Sequence, residues 1–189
     1  MKKSIIPIVL FFLFSYANSQ TKSEGHFGIK LGFNYADITN SGGSPIVSYH
    51  LGIFLKYKIS DKTGIQPELL FSGQGVKVYN GEFYFNYINV PLLFKYYVTK
   101  KLNLEIGPQL CFLNSAESKA FGGNKTVDVS NRINYNDYSL VFGGCYDVDK
   151  NISIDLRYNL GLTQVQYYLT PNETPSKNSV FQFSLGYKF

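Results

Sequence analysis

From Phe181 to Phe189 the chain alternates without a break. Phe181, Phe183, Leu185, Tyr187 and Phe189 fall on one face; Gln182, Ser184, Gly186 and Lys188 fall on the other. A two-residue period sends successive side chains to opposite faces of a strand. Residues Ser179 to Phe189 therefore read as a strand with one wholly apolar side. Such a strand is a template for aggregation if its edge stays open in water. Two conditions remove the hazard: both edges are paired, and the apolar face meets lipid. A closed transmembrane barrel meets both.

The same alternation recurs along the chain. Strand one covers Phe27–Ile38, strand two Ile46–Ile59, strand three Ile65–Val78 and strand four Phe83–Val98. Strand five covers Leu102–Leu113, strand six Asn136–Val148, strand seven Ile152–Thr163, and the closing strand makes eight. Phe54 breaks the pattern by falling among the polar residues of strand two. Tight turns are expected at 60–64, 99–101 and 149–151. Asn80-Gly81 suits a type I′ hairpin, because both residues tolerate positive φ. Longer polar loops are expected at 39–45, at Asn114 to Tyr135 and at Val165 to Asn178. The fold predicted is all-β: an eight-stranded antiparallel up-and-down transmembrane β-barrel. Short turns at one end and longer loops at the other are the outer-membrane arrangement, which places both termini in the periplasm.

A soluble barrel of lipocalin type would show the same alternation with its apolar face turned inward. Three features favour the membrane. No Lys, Arg, Asp or Glu falls on the apolar face at the middle of any strand; Asp37 and Lys77 fall on it only at the loop ends of strands one and three. A Lys or Arg facing lipid at mid-membrane costs about 2–4 kcal/mol, so the absence is informative. The polar face carries Lys30, Lys56, Glu68, Lys95, Glu105, Asp155, Arg157 and Lys188, a mixture of signs suited to a narrow lumen of paired charges. Tyr35, Tyr49, Tyr57, Tyr96, Tyr146, Tyr158 and Tyr187 recur near strand ends, as interfacial girdles require.

Residues 1–19 form a separate object. Lys2 and Lys3 precede an apolar run, Ile5 to Phe14, too short for a helical span. Ala17-Asn18-Ser19 suits cleavage, so 1–19 reads as a signal peptide and 20–189 as the barrel domain. Gln20 rather than a cysteine would head the mature chain, so no lipid anchor is predicted. The net charge of +5 is spread along the sequence, which disfavours nucleic acid. Cys111 and Cys145 fall at opposite ends of neighbouring strands, beyond disulfide reach, and read as interior fillers.

Gln66-Pro67-Glu68-Leu69-Leu70-Phe71, Tyr87 to Tyr96 around Pro91, and Ile106-Gly107-Pro108-Gln109-Leu110 resemble the PorT-like outer-membrane β-barrel family of Bacteroidetes. Gly28 to Tyr35 resembles that family's first strand. The resemblance implies a small barrel in the outer membrane of a Gram-negative bacterium. The family's namesake is associated with protein secretion, but the resemblance fixes no single activity. Pro67, Pro91 and Pro108 also have a physical reading. Each removes a ladder donor, so together they predict a shared bulge or kink at one level of the barrel.

The enzymatic signal is thin. The chain has two histidines. His26 lies at the entrance, and His50 faces the lumen with Ser48 and Asp37 as its nearest candidates for a triad. A hydrogen-bonded lumen histidine is the simpler reading. No metal spacing and no phosphate loop are present, so no catalytic residue, cofactor or metal is assigned. Barrels of about eight strands are filled by side chains rather than by a wide pore. Glu68, Glu105 and Asp155 are therefore expected to pair with Lys30, Lys56, Lys95, Arg157 and Lys188. Phe181, Phe183, Leu185, Tyr187 and Phe189 form the assembly signal expected of an outer-membrane barrel. The expected function is a structural or surface-interaction barrel; the alternatives are a secretion or uptake component and a narrow channel. Expected partners are outer-membrane lipid, lipopolysaccharide, the barrel-assembly machinery and a protein at the extracellular loops, with the barrel itself a monomer.

Overall fold

The structure, a computed structural model, describes residues 25–120, 126–165 and 174–189. The expected leader, 1–19, lies outside them. Nine strands form: β1 (Gly25–Ile38), β2 (Ser44–Lys58), β3 (Thr63–Val78), β4 (Gly81–Tyr97), β5 (Leu102–Ala120), β6 (Thr126–Asp128), β7 (Asn136–Asp147), β8 (Ile152–Gln164) and β9 (Lys177–Lys188). Among the described residues a 3-10 turn, Ser130–Arg132, follows β6. Eight strands close a barrel in the order β1-β2-β3-β4-β5-β7-β8-β9, all antiparallel, with β9 returning to β1. The closing ladder runs from Gly28↔Lys188 to Ile38↔Asn178. The apolar strand β9 thus has a partner on both sides.

Burial is inverted relative to a soluble protein. Phe33 is 65% exposed while its neighbour Asn34 is wholly buried. Leu31, Leu51, Leu156 and Phe183 likewise face outward, and Lys30, Arg157 and Gln182 face in. Water would expel such a surface; a bilayer accepts it. This orientation of the faces excludes the lipocalin-type alternative. Outward aromatic pairs recur at a spacing of eight residues: Phe27 and Tyr35, Tyr49 and Tyr57, Tyr138 and Tyr146. Eight residues span ~26 Å along a strand, or ~20 Å after a tilt of about 40°, close to the apolar band of an outer-membrane barrel. These rings form two girdles, one toward the turns and one toward the loops.

Phe54 is accommodated by its neighbours. It is 3% exposed and points into the lumen. Its ring lies over Gly28 and Gly186; a Cβ on Gly28 would come within 2.3 Å of Phe54 Cζ. On the other side, Lys30 Nζ stands 5.6 Å from the ring centre. Two glycines on adjacent strands therefore make the recess into which one aromatic side chain fits.

The loop end departs from the sequence reading. Asn114 to Tyr135 is not one long loop. β5 continues through Ala120 and pairs with β4 as far as Gly81↔Ala120, after a register shift beside Asn86. β6 then pairs with β5 from Lys119↔Thr126 to Glu117↔Asp128. A polar sequence hid this extension because its outer side faces water. With 16, 17 and 19 residues, β3, β4 and β5 exceed the 9–11 that a bilayer needs, so their ends project as a sheet.

The three prolines lie side by side on β3, β4 and β5. Pairing skips from Phe54↔Glu68 to Tyr57↔Ile65, from Leu70↔Asn89 to Pro67↔Leu92, and from Pro91↔Gln109 to Phe94↔Ile106. Each interruption contains one proline, and the register is the same on both sides of it. The missing N–H interrupts the ladder without adding a residue, so no bulge forms there. Cys111 pairs with Asp137 and Cys145 with Asn103, and both thiols are buried and unbridged.

Candidate functional site in the barrel interior

Arg157 projects from β8 across the lumen. Its Nη1 and Nη2 donate to the two oxygens of Glu68 on β3, each at 2.8 Å, in a forked pair. Its Nε donates to Glu105 on β5, and Nη2 reaches the other Glu105 oxygen at 3.3 Å. The same Nη2 lies 3.1 Å from Asp155 Oδ1. Lys30 Nζ donates to Glu68 at 3.0 Å and to Asp155 at 3.2 Å. Lys95 Nζ stands 2.9 Å from Glu105 Oε2. Three cations thus meet three carboxylates, with every side chain at most 1% exposed. The alternation that makes the outer face apolar delivers these charges inward from β1, β3, β4, β5 and β8.

Lys56 and Lys188 do not join this cluster. Both bind Asp147, Lys56 at 2.8 Å and Lys188 at 2.8 Å, nearer the turn end. The expected pairing of these two lysines with Glu68, Glu105 or Asp155 is therefore corrected. Alternation places Asp147, the last residue of β7, on the inward face with Ser139, Gly143 and Cys145, but does not show which cations it meets. Tyr97, also at the turn end, lies under Lys56 at 5.6 Å.

Toward the loop end the charges give way to neutral groups. His50 Nδ1 lies 2.7 Å from Asn34 Oδ1, and its Nε2 lies 2.8 Å from Ser184 Oγ. Asn34 Nδ2 donates to the Gly73 carbonyl at 2.7 Å, so Oδ1 is the acceptor and Nδ1 of His50 carries the hydrogen. Neither residue expected beside His50 is there. Ser48 donates to the Gly73 carbonyl, and Asp37 accepts from the Ile38 amide. Ser184, His50 and Asn34 do reproduce the order of nucleophile, base and orienter. All three are at most 1% exposed, so the set is enclosed and presents no nucleophile to solvent.

Above this layer the lumen is closed by an apolar cap. Val76, Phe85, Tyr87, Leu113, Ile133 and Val165 are buried together. Ile133 follows the 3-10 turn, and Asn134 N–H donates to the Val165 carbonyl at 2.8 Å, which ties the segment after β6 to the end of β8. The inner side of the projecting sheet thus folds over the mouth of the barrel. Strand alternation could have placed Phe85 and Leu113 inward. It could not show that Ile133 and Val165, from separate connections, meet them.

An apolar exterior, a charge-balanced interior and complete closure define a small transmembrane β-barrel. The chain belongs to the outer membrane protein beta-barrel domain family, which matches residues 16–167. Its fold is similar to Ail, the attachment invasion locus protein of Yersinia pestis, at 16% identity and a TM-score of 0.53, covering 88% of this chain and 99% of Ail. It is also similar to Neisserial surface protein A at 12% identity and a TM-score of 0.53, covering 89% of this chain and all of the other. At these identities the likeness is one of fold. Among curated proteins, none matches the sequence.

Proposed function

We propose that the protein is a surface-interaction barrel, a sealed anchor that carries the β3–β6 sheet out of the membrane toward a partner. The observation that carries this reading is the combination of a capped lumen with strands too long for the bilayer. A filled interior offers no route for solute, whereas a projecting sheet offers a place for contact. On this reading the loops face outward, both termini are periplasmic, and 1–19 directs export. Phe181 to Phe189 serves the barrel-assembly machinery, and the barrel works as a monomer among lipid and lipopolysaccharide.

Topology is tested first. Tyr79 at the hairpin tip is 96% exposed, and both native cysteines are buried, so Y79C gives one accessible thiol. It should react with a membrane-impermeant maleimide on intact cells; labelling only after lysis would reverse the orientation. A deletion strain tests the role. Altered adhesion or envelope integrity with normal secretion supports the surface reading. Loss of secreted proteins would instead favour a PorT-like secretion component, and discrete conductance steps in a planar bilayer would favour a channel.

A further inference from the structure

We propose that the turn end of the barrel carries a lysine collar that binds the headgroups of anionic phospholipids in the adjoining leaflet. Lys58 ends β2, Lys62 sits in the β2–β3 turn, Lys100 and Lys101 in the β4–β5 turn, and Lys150 in the β7–β8 turn. All five are exposed. In sequence the three groups are about forty to fifty residues apart, which is why the charge looks dispersed.

Closure makes them neighbours. Tyr97 N–H donates to the Lys62 carbonyl at 2.8 Å, and Asp147 N–H donates to the Lys101 carbonyl at 2.8 Å. Lys188 N–H then donates to the Asn151 carbonyl at 2.7 Å. The three turns therefore form one continuous rim, running from β2 round to β9. Lys101 spans two of them, its Nζ donating to the Val148 carbonyl at 2.9 Å.

Among the described residues two exposed carboxylates share this rim with the five lysines, while Asp147 turns inward to Lys56 and Lys188. Asp61 lies 4.0 Å from Lys58 and is fully exposed. Asp149 accepts from the amides of Asn151 and Ile152, both at 2.7 Å, and so serves its own turn. Lys62, Lys100 and Lys150 have no carboxylate partner among the described residues. The other end of the barrel differs. There, among the described residues outside the lumen, Lys77, Lys119, Arg132 and Lys177 are matched in number by Asp37, Glu82, Glu117 and Asp128.

Position decides the partner. Tyr57, Tyr96, Tyr146 and Tyr187 form the girdle just inside the rim, and such rings sit at headgroup level. Lysines one to five residues beyond them lie at the phosphates. Each lysine near an anionic lipid surface favours binding by about fivefold. Lipid is always present at this height, whereas an acidic protein would have to be recruited.

The test uses the whole refolded barrel with equimolar phosphatidylglycerol and phosphatidylcholine, read by native mass spectrometry. The wild type should retain phosphatidylglycerol severalfold over phosphatidylcholine, and salt should erode the preference. K62Q/K100Q/K150Q, which breaks no side-chain hydrogen bond or ion pair among the described residues, should lose most of that preference while keeping its heat-dependent gel shift. A wild type that retains both lipids equally would overturn the proposal, as would a preference that survives in the variant. A lysine-dependent preference for lipopolysaccharide over phosphatidylglycerol would overturn the choice of phospholipid.

Discussion

Arg157 donates to carboxylates on three strands, so its loss has a calculable consequence. R157L would leave Glu68, Glu105 and Asp155 buried against Lys30 and Lys95 alone. Breaking one side of a buried ion pair costs about 3–5 kcal/mol, and urea unfolding in micelles should show a loss of that size. E68Q/R157M should cost less than the sum of its single changes, because it removes both partners of one fork. Gly28 makes a second residue-scale prediction. G28A should destabilise the barrel, and F54A should not rescue it, because the new Cβ would also lie 2.5 Å from the Tyr187 carbonyl. Full recovery in G28A/F54A, read by thermal unfolding, would show that Phe54 is the sole obstacle. Sequence made the inward direction of Glu68, Glu105 and Arg157 legible, because direction follows from alternation alone. It did not show that Asp147 would take Lys56 and Lys188, since that depends on which strands meet across the lumen.

At the scale of elements, the β3–β4 hairpin is held outside the membrane by polar contacts on its outer side. Lys77 Nζ lies 3.0 Å from Glu82 Oε1, and the Tyr84 hydroxyl donates to Glu82. Those hydrogen bonds, that of Tyr84 foremost, hold the Glu82 carboxyl below its ordinary range. A carboxyl depressed in the folded state stabilises above its unfolded value, and that contribution is lost as pH falls through the folded one. Amide protection factors at residues 77–84 should therefore fall as pH drops below the ordinary carboxylate range, and E82Q should remove the dependence. The effect should be small, because the pair is exposed and screened by solvent. Alternation made this hairpin legible, but its turn departs from the expected type I′: Val78 pairs with Gly81, so Tyr79-Asn80 make the connection, and neither Asn80 nor Gly81 takes a positive φ. The continuation of β5 to Ala120 was not, because Asn114, Ser115, Glu117, Ser118 and Lys119 suit either a loop or a strand wetted on one side.

For the whole molecule, closure depends on the seam between β1 and β9. Phe189 N–H donates to the Phe27 carbonyl at 2.9 Å, the two rings stack at 5.9 Å, and Tyr187 meets Phe189 edge-on at 5.3 Å. Deleting Phe189 removes one terminal hydrogen bond and two ring contacts, worth about 1.5–4.5 kcal/mol together. If the aromatic also serves as an assembly signal, membrane insertion in cells should fall much further than that loss explains. Comparing insertion in cells with refolding in detergent separates the two effects; equal losses in both would reduce Phe189 to a seam contact. The closed barrel was legible because eight apolar faces without a charge at mid-strand admit few other architectures. The cap was not, since it draws on Phe85, Leu113, Ile133 and Val165 from four separate stretches.

The interior charge balance also bears on the order of construction. Lys30, Glu68, Lys95, Glu105, Asp155 and Arg157 belong to the first, second, third and fourth hairpins of the barrel, and no single hairpin contains the whole balanced set. A partly built sheet in lipid would hold Glu68 without Arg157, or Lys95 without Glu105. A one-residue slip in any strand would turn its charges toward hydrocarbon. Intermediates and misregistered forms are thus penalised by the same groups that stabilise the finished barrel. Insertion should consequently be all-or-none, with the ion cluster proofreading the register before the last strand closes.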